Sequence, residues 1–161
     1  NPHGDLRHAL TVAATERAIA IARRGKDPRP VGRMLDERSF VNAIVGLHAT
    51  GGSTNHTLHL PAMAAAAGIT LTWQDFADLS EVTPLLARVY PNGQADVNHF
   101  HAAGGMGYVI AELLGAGLLD GGAATVSGAN LADYAREPVL SDNGLVWRDA
   151  PSTSQIGRAH V

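Results

Sequence analysis

"ATGGSTNHTLHL", residues 49–60, decides how this chain is divided into elements. Gly51-Gly52 end one apolar stretch, and Ser53, Thr54 and Asn55 open the next. A paired glycine stops a helix, and Ser or Thr at the following position caps a new one by accepting from its orphan N–H groups. The spacing therefore predicts a helix over residues 36–49, with Phe40, Ile44, Leu47 and His48 on its buried side, and a break at Thr50–Gly52. A second helix, capped by Ser53 or Thr54, is expected to run to about Ala67 and end at Gly68. Pro61 lies inside it and is expected to kink it. Residues 62–67 are alanine apart from Met63, which allows close packing against a neighbour.

Working outward, residues 5–24 are rich in Ala, Leu, Ile and Arg at helical spacing and end at Gly25. "KDPRPVG" (26–32) is a loop. "ITLTW" (69–73), "LLARVYP" (85–91) and "ATVSG" (124–128) carry the β-branched content of short strands, and Pro91-Asn92-Gly93 that of a turn. "WQDFADLSEV" (73–82) and residues 106–115 read as helices. A last helix is predicted from an Asn130 cap to Glu137, stopped by Pro138. The order is helix-rich α/β, with too few strands for a complete parallel sheet, and shows no repeat and no low-complexity linker.

The 161 residues suffice for one domain with a core. Apolar residues make up 45% and charged residues 17%, the balance of a globular protein. A net charge of −3 without a Lys/Arg cluster argues against nucleic acid or a membrane surface as partner. No apolar run reaches the ~20 residues of a membrane span. Cysteine is absent, which excludes disulfides and any thiolate-held metal or cluster built from this chain alone. The chain starts at Asn1-Pro2 with neither an initiator Met nor a signal-peptide pattern. Its final six residues, IGRAHV (156–161), are encoded by one frame of a common sequencing-library adapter, ATCGGAAGAGCACACGTC. They are expected to be read-through, the native sequence stopping near Gln155, so His160 enters no site argument.

Candidate chemistry lies in two places. Glycines before a helix N-terminus let backbone N–H groups and the helix dipole approach an anion, and Ser53, Thr54 and Asn55 add side-chain donors. The Lys-Ser/Thr pair of the true phosphate loop is missing, so the same residues also read as a plain stop and cap. His56 and His59 share a helix face at i,i+3, a spacing that serves a metal or packing. His99 and His101 in "DVNHFHAAGG" share a face only if that segment is extended, and Asp96 is near enough to orient an imidazole. The carboxylates at Asp36, Glu37, Asp75, Asp78, Glu81, Glu112 and Asp133 form no evident acid/base pair, and there is no nucleophile elbow or zinc helix.

"VNAIVGLHATGGSTNHTLHLPAMAAAAGI" (41–69) resembles a core segment of the dihydroxy-acid dehydratase / phosphogluconate dehydratase family. The resemblance continues through "WQDFADLSEVTPLLARVYPNGQADVNHFHAAGGM" (73–106) and "IAELLGAGLL" (110–119), and more weakly through "TVSGANLADYAREPVL" (125–140). "NPHGDLRHALTVAATERAI" (1–19) and "PVGRMLDERSFVNAIVGL" (30–47) also fit, so it extends from Asn1 to about Trp147. His56-Thr57 after "GGSTN", and "YPNGQADVNHFHAAGG" (90–105), are similar to the phosphogluconate branch; the other branch has Ala-Val and a "PSGKY" stretch there.

The resemblance implies a piece of the N-terminal α/β domain of an iron–sulfur hydro-lyase. Its parent would dehydrate 6-phospho-D-gluconate to 2-keto-3-deoxy-6-phosphogluconate, the Entner–Doudoroff step, in the cytoplasm and as a homodimer. It also implies a cluster, 4Fe-4S by expectation, and room for a divalent cation. In the family one cluster ligand lies in a Cys-Asp-Lys signature N-terminal to such a segment. A Thr-Asp-Gly-Arg signature and the proposed catalytic serine lie C-terminal to it. Neither signature occurs here, so no catalytic residue or metal ligand carries over, and residues 1–155 are expected to be an internal fragment without activity or cluster of its own. Ser53, Thr54, Asn55, His56 and His99 remain the substrate-side candidates, the two histidines because the branches differ there and in whether their substrate is phosphorylated. Two alternatives stay open: a sibling dehydratase acting on a dihydroxy acid or other sugar acid, and a non-catalytic helical binding domain.

Overall fold

The computed structural model describes residues 3–128 and 130–150; the expected read-through tail, 156–161, lies outside them. In chain order the helices are α1 (Asp5–Ile21), α2 (Val31–Met34), α3 (Glu37–Ala49), α4 (Thr54–Ala66), α5 (Trp73–Val82), α6 (Val97–Ala102) and α7 (Gly105–Gly115). A 3₁₀ turn (Leu131–Tyr134) then leads into the antiparallel strands β1 (Arg136–Ser141) and β2 (Gly144–Asp149).

The centre of the fold is α3. Asp36 starts it with a capping box: its side chain accepts from the Ser39 N–H at 3.1 Å, and Ser39 Oγ accepts from the Asp36 N–H at 3.4 Å. Phe40, Ile44, Val45, Leu47 and Ala49 are buried along it. One face joins Val45 and Ala49 to Val109 and Leu113 of α7, with Leu79, Leu86 and Phe100 packed around them. The other joins Ile44 and Leu47 to Phe76 of α5, ringed by Leu60, Leu71 and Leu79. Leu79 touches both clusters, so the core is continuous through α5. Each fully buried aliphatic side chain, such as Ile44 or Leu113, contributes about 1.5–3 kcal/mol.

The expected helix at 36–49, the break after it and the start of the next helix at Ser53 are all present. Gly51 takes a φ of +54°, the left-handed conformation that releases the chain from α3. Within α4, Pro61 is accommodated, and the helix ends at Ala66 with Gly68 at φ +77°.

Several expectations fail. Helix α1 stops at Ile21, not Arg24, because the Asp27 and Arg29 N–H groups take the carbonyls of Ala20 and Ile21 at 2.9 and 3.0 Å. Residues 69–72 form no strand: Thr72 caps α5, accepting from Asp75, whose carboxylate accepts from the Thr72 N–H at 2.7 Å. Residues 85–91 form no strand either. Leu86 and Ala87 donate to the Ala49 carbonyl at 2.8 and 2.9 Å, which docks the segment on the end of α3, and only Val89 makes an isolated bridge, to Ala95. Ala124 likewise makes only a single bridge, to Asn130.

The helix expected at 130–137 shrinks to the 3₁₀ turn, and Pro138, read as a stop, lies inside β1 opposite Trp147. A two-stranded ribbon tolerates proline because each strand has an outer edge with no ladder to complete. Asp142 and Asn143 bridge the strands with negative φ, and Gly144 follows at +94°. This hairpin packs against α1 and α7.

Candidate functional site

The substrate-side candidates cluster around the α3–α4 junction. Ser53 is the α4 cap: its Oγ accepts from the Asn55 N–H at 3.2 Å, and the His56 N–H donates to the Ser53 carbonyl at 2.9 Å. Two of the N–H groups that could have met an anion are thereby satisfied within the turn. Ser53, Thr54, Asn55 and His56 are all exposed. His56 folds back over Gly52, where a Cβ would sit at ordinary contact distance, 3.5 Å, from its Nδ1 and 2.7 Å from Leu47 Cδ1, which would have to shift.

His56 also lines an open groove of about 450 Å³ between α3 and α7, together with Asn42, Gly46, Thr50, Met106 and Ile110. His59 is exposed and is not among the groove residues. Among the described residues no three of His, Cys, Asp and Glu converge as a metal-binding group.

His99 lies in α6, so it and His101 sit in a helix rather than an extended segment; at i,i+2 they do not share a face. Asp96 caps this helix: its Oδ1 accepts from the Asn98 and His99 N–H groups at 2.9 and 3.0 Å. Those N–H groups, that of His99 first, hold the Asp96 carboxyl below its ordinary range. His99 Nδ1 lies 3.2 Å from the Asp96 N–H and 2.9 Å from Asp96 Oδ1. One nitrogen cannot accept and donate at once. With the ring proton on Nε2, Nδ1 accepts from the Asp96 N–H and completes the capping box; with the proton on Nδ1, the ring donates to the carboxylate instead. The sequence reading that Asp96 orients an imidazole is thus realised, with His99 as its partner.

The two stretches that carry the branch resemblance meet. The Asn92 side-chain amide donates to the Gly51 carbonyl, joining the turn after Tyr90-Pro91, a cis peptide, to the start of α4. A Cβ on Gly51 would stand 2.6 Å from Asn92 Nδ2 and push the amide aside, and the positive φ of +54° favours glycine there. Sequence reasoning placed Asn92 only in a turn; its partner lies 41 residues away and has no local signal. It also placed His48 on the buried face without a role. His48 Nε2 makes a 3.0 Å hydrogen bond with the Phe76 carbonyl and ties α3 to α5.

A second polar cluster lies where the end of α1 meets the loop after it. Arg17 and Arg29 share Asp27 Oδ2 at 2.7 and 2.8 Å, and the two guanidiniums, that of Arg29 first, depress the Asp27 carboxyl. Arg17 also donates to the Val126 carbonyl and Arg29 to that of Gly128, so the pair clamps residues 126–128 onto α1. These cations are occupied by structure.

A helix-rich domain fragment with a hairpin cap, whose open face is edged by the "GGSTNH" helix start, is what the fold and site define. The model of the N-terminal domain of dihydroxy-acid/6-phosphogluconate dehydratases matches residues 1–134, and the chain belongs to that family. The phosphogluconate dehydratase of Rhizobium meliloti is 62% identical over 155 residues, 96% of this chain and 26% of that protein. That of Zymomonas mobilis is 55% identical over 150 residues, 92% of this chain and 25% of that protein. A dihydroxy-acid dehydratase of Nitratidesulfovibrio vulgaris is 40% identical over 129 residues, 78% of this chain and 23% of that protein. The chain thus spans about a quarter of the length of the curated relatives it matches. No helix among the described residues is long and apolar enough to cross a membrane.

Proposed function

We propose that this chain is part of a hydro-lyase that dehydrates 6-phosphogluconate to 2-keto-3-deoxy-6-phosphogluconate, and that its share of the work is recognition of the phosphorylated sugar acid. Supporting the reaction class is the family membership; supporting the branch is the higher identity to proteins named phosphogluconate dehydratase. The observation that carries the substrate-side role is the joining of the "GGSTNH" helix start to the 90–99 segment through Asn92 and Gly51. Ser53, Thr54, Asn55 and His56 offer exposed polar groups on one side of that joint, and His99 on the other.

The donor set here does not fit an iron–sulfur cluster. There is no cysteine, and among the described residues no three other ligating side chains converge. We assign the cluster and the acid/base groups to the parent beyond these 161 residues, and we expect that parent to be a homodimer. The chain alone is expected to turn over no substrate and to retain no cluster after anaerobic reconstitution with iron and sulfide.

In the full-length parent, His56→Ala and His99→Ala are expected to lower kcat/KM for 6-phosphogluconate more than for gluconate. A selectivity unchanged in both variants would remove the substrate-side role. A parent active on dihydroxy acids and inert toward 6-phosphogluconate would replace the reading with the sibling dehydratase.

A further inference from the structure

The two candidate histidines sit on different elements, and nothing in either helix fixes their relation. His56 is in the first turn of α4, and His99 is in α6, more than forty residues later. Three polar contacts bring the intervening segment back. The Leu86 and Ala87 N–H groups donate to the Ala49 carbonyl at the end of α3, and the Asn92 amide donates to the Gly51 carbonyl two residues on. The first two are main-chain bonds that most residues would make. The third needs an amide of this length at this position.

Asn92 is itself held. Its N–H donates to the Val89 carbonyl at 2.8 Å, and the Tyr90 N–H donates to the Ala95 carbonyl at 2.8 Å, closing a tight loop whose far end runs directly into the Asp96 cap of α6. At Gly93 a Cβ would collide with the Arg88 carbonyl, so the loop is also closed sterically. The path is short: α4 start, Gly51, Asn92, loop, Asp96, His99.

We infer that Asn92 is a positioning residue for substrate selection: its amide, bonded to the Gly51 carbonyl, sets the spacing between the His56 side of the site and the His99 side. This rests on the substrate-side role proposed above. Asn92 need not touch the substrate. Losing one amide–carbonyl bond releases the α4 start from the loop and lets the two sides vary independently, while the buried core of α3, α5 and α7 is untouched.

The test uses the full-length parent with 6-phosphogluconate and gluconate as paired substrates. Asn92→Ala removes the donor; Asn92→Asp keeps the size and turns the donor into a carboxylate facing the Gly51 carbonyl. Both are expected to raise KM for 6-phosphogluconate by about threefold to tenfold, the scale of one hydrogen bond. In both, the ratio of efficiencies for 6-phosphogluconate over gluconate should fall. A positioning role acting through His56 further requires non-additivity: in a His56→Ala background, Asn92→Ala should change selectivity much less than in the wild type. A purely structural Asn92 would lower both substrates' efficiencies in parallel with thermal stability, and that result, or unchanged selectivity in both variants, would overturn the inference. If His56→Ala and His99→Ala alter selectivity while the Asn92 variants do not, the substrate-side reading survives and only Asn92 falls; if none of the four does, both fall.

Discussion

Helices α3 and α4 are the same length, thirteen residues each, and are separated only by Thr50–Ser53, yet they are used in opposite ways. Five residues of α3 are buried; of α4 only Ala64 is. Leu58 and Met63 of α4 stand 63% and 50% exposed, although the helix is apolar along much of its length. A helix that leaves apolar side chains uncovered takes little of its stability from burial against these elements. The contrast teaches that α3 organises this piece of the family's domain, while α4 is a surface presented by it, with the polar "STNH" turn at one end.

The largest expected effect separates the two helices directly. Ile44→Ala in α3, or its partner cluster's Leu113→Ala in α7, should cost about 2–5 kcal/mol in urea unfolding of this chain. Leu58→Ala in α4 should stay within about 0.5 kcal/mol. Equal costs would mean that α4 is packed after all, and the comparison would break.

Next is the joint. Gly51→Ala places a Cβ in a left-handed conformation and against the Asn92 amide, and is expected to cost about 1–3 kcal/mol in the same unfolding experiment. A cost near zero would show that the α3–α4 break has room to move.

The caps give a smaller difference. Asp36→Ala removes a reciprocal capping box and Ser53→Ala a single bond, so within the usual range of about 0.5–2 kcal/mol the first should exceed the second. Helicity by circular dichroism and unfolding midpoints would rank them; the reverse order would mean that the α4 start matters more to this fold than its burial suggests.

The smallest effect is acid dependence. The Arg38 guanidinium first, and then the Ser39 N–H, hold the Asp36 carboxyl below its ordinary value, and the Thr72 and His99 N–H groups do the same for Asp75 and Asp96. A carboxyl whose folded value is depressed stabilises fully above its unfolded value, about 3.9, and loses that contribution as pH falls through the folded value. Stability should therefore decline below about pH 4. Asp36→Asn keeps a good cap without the charge and should flatten part of that decline. Ser53 does not titrate there, so acid weakens the start of α3 and spares that of α4. An unchanged acid profile in Asp36→Asn would remove Asp36 from this account.

What was legible in the sequence follows the range of the forces involved. The α3–α4 junction could be read because Asp36, Gly51, Gly52 and Ser53 act within four residues of themselves. The β-branched and aromatic residues at 69–73, 85–91 and 124–128 point to strands that do not form, because such residues describe a shape that fits a sheet, not the presence of a partner. The segment at 85–91 found its hydrogen bonds on the end of α3 instead. The hairpin at 136–149 is hidden in the sequence because Pro138 reads as a helix stop. Asp142-Asn143-Gly144 between two apolar runs was the available signal. At the site, the Asp96–His99 relation was local and readable, whereas Asn92–Gly51 and His48–Phe76 depend on chain returning from a distance.

Gly107 of α7 is buried where the helix meets the hairpin, and a Cβ there would stand 2.5 Å from the Arg136 carbonyl. The position therefore works as a gauge for comparing family members. A relative with any side chain at this point has to lift its hairpin away from α7 or do without one. A single letter in another sequence thus tells whether the Arg136–Asp149 cap can be transplanted onto it. A chimaera joining the two where that letter is not glycine should assemble poorly, however well the rest of α7 matches.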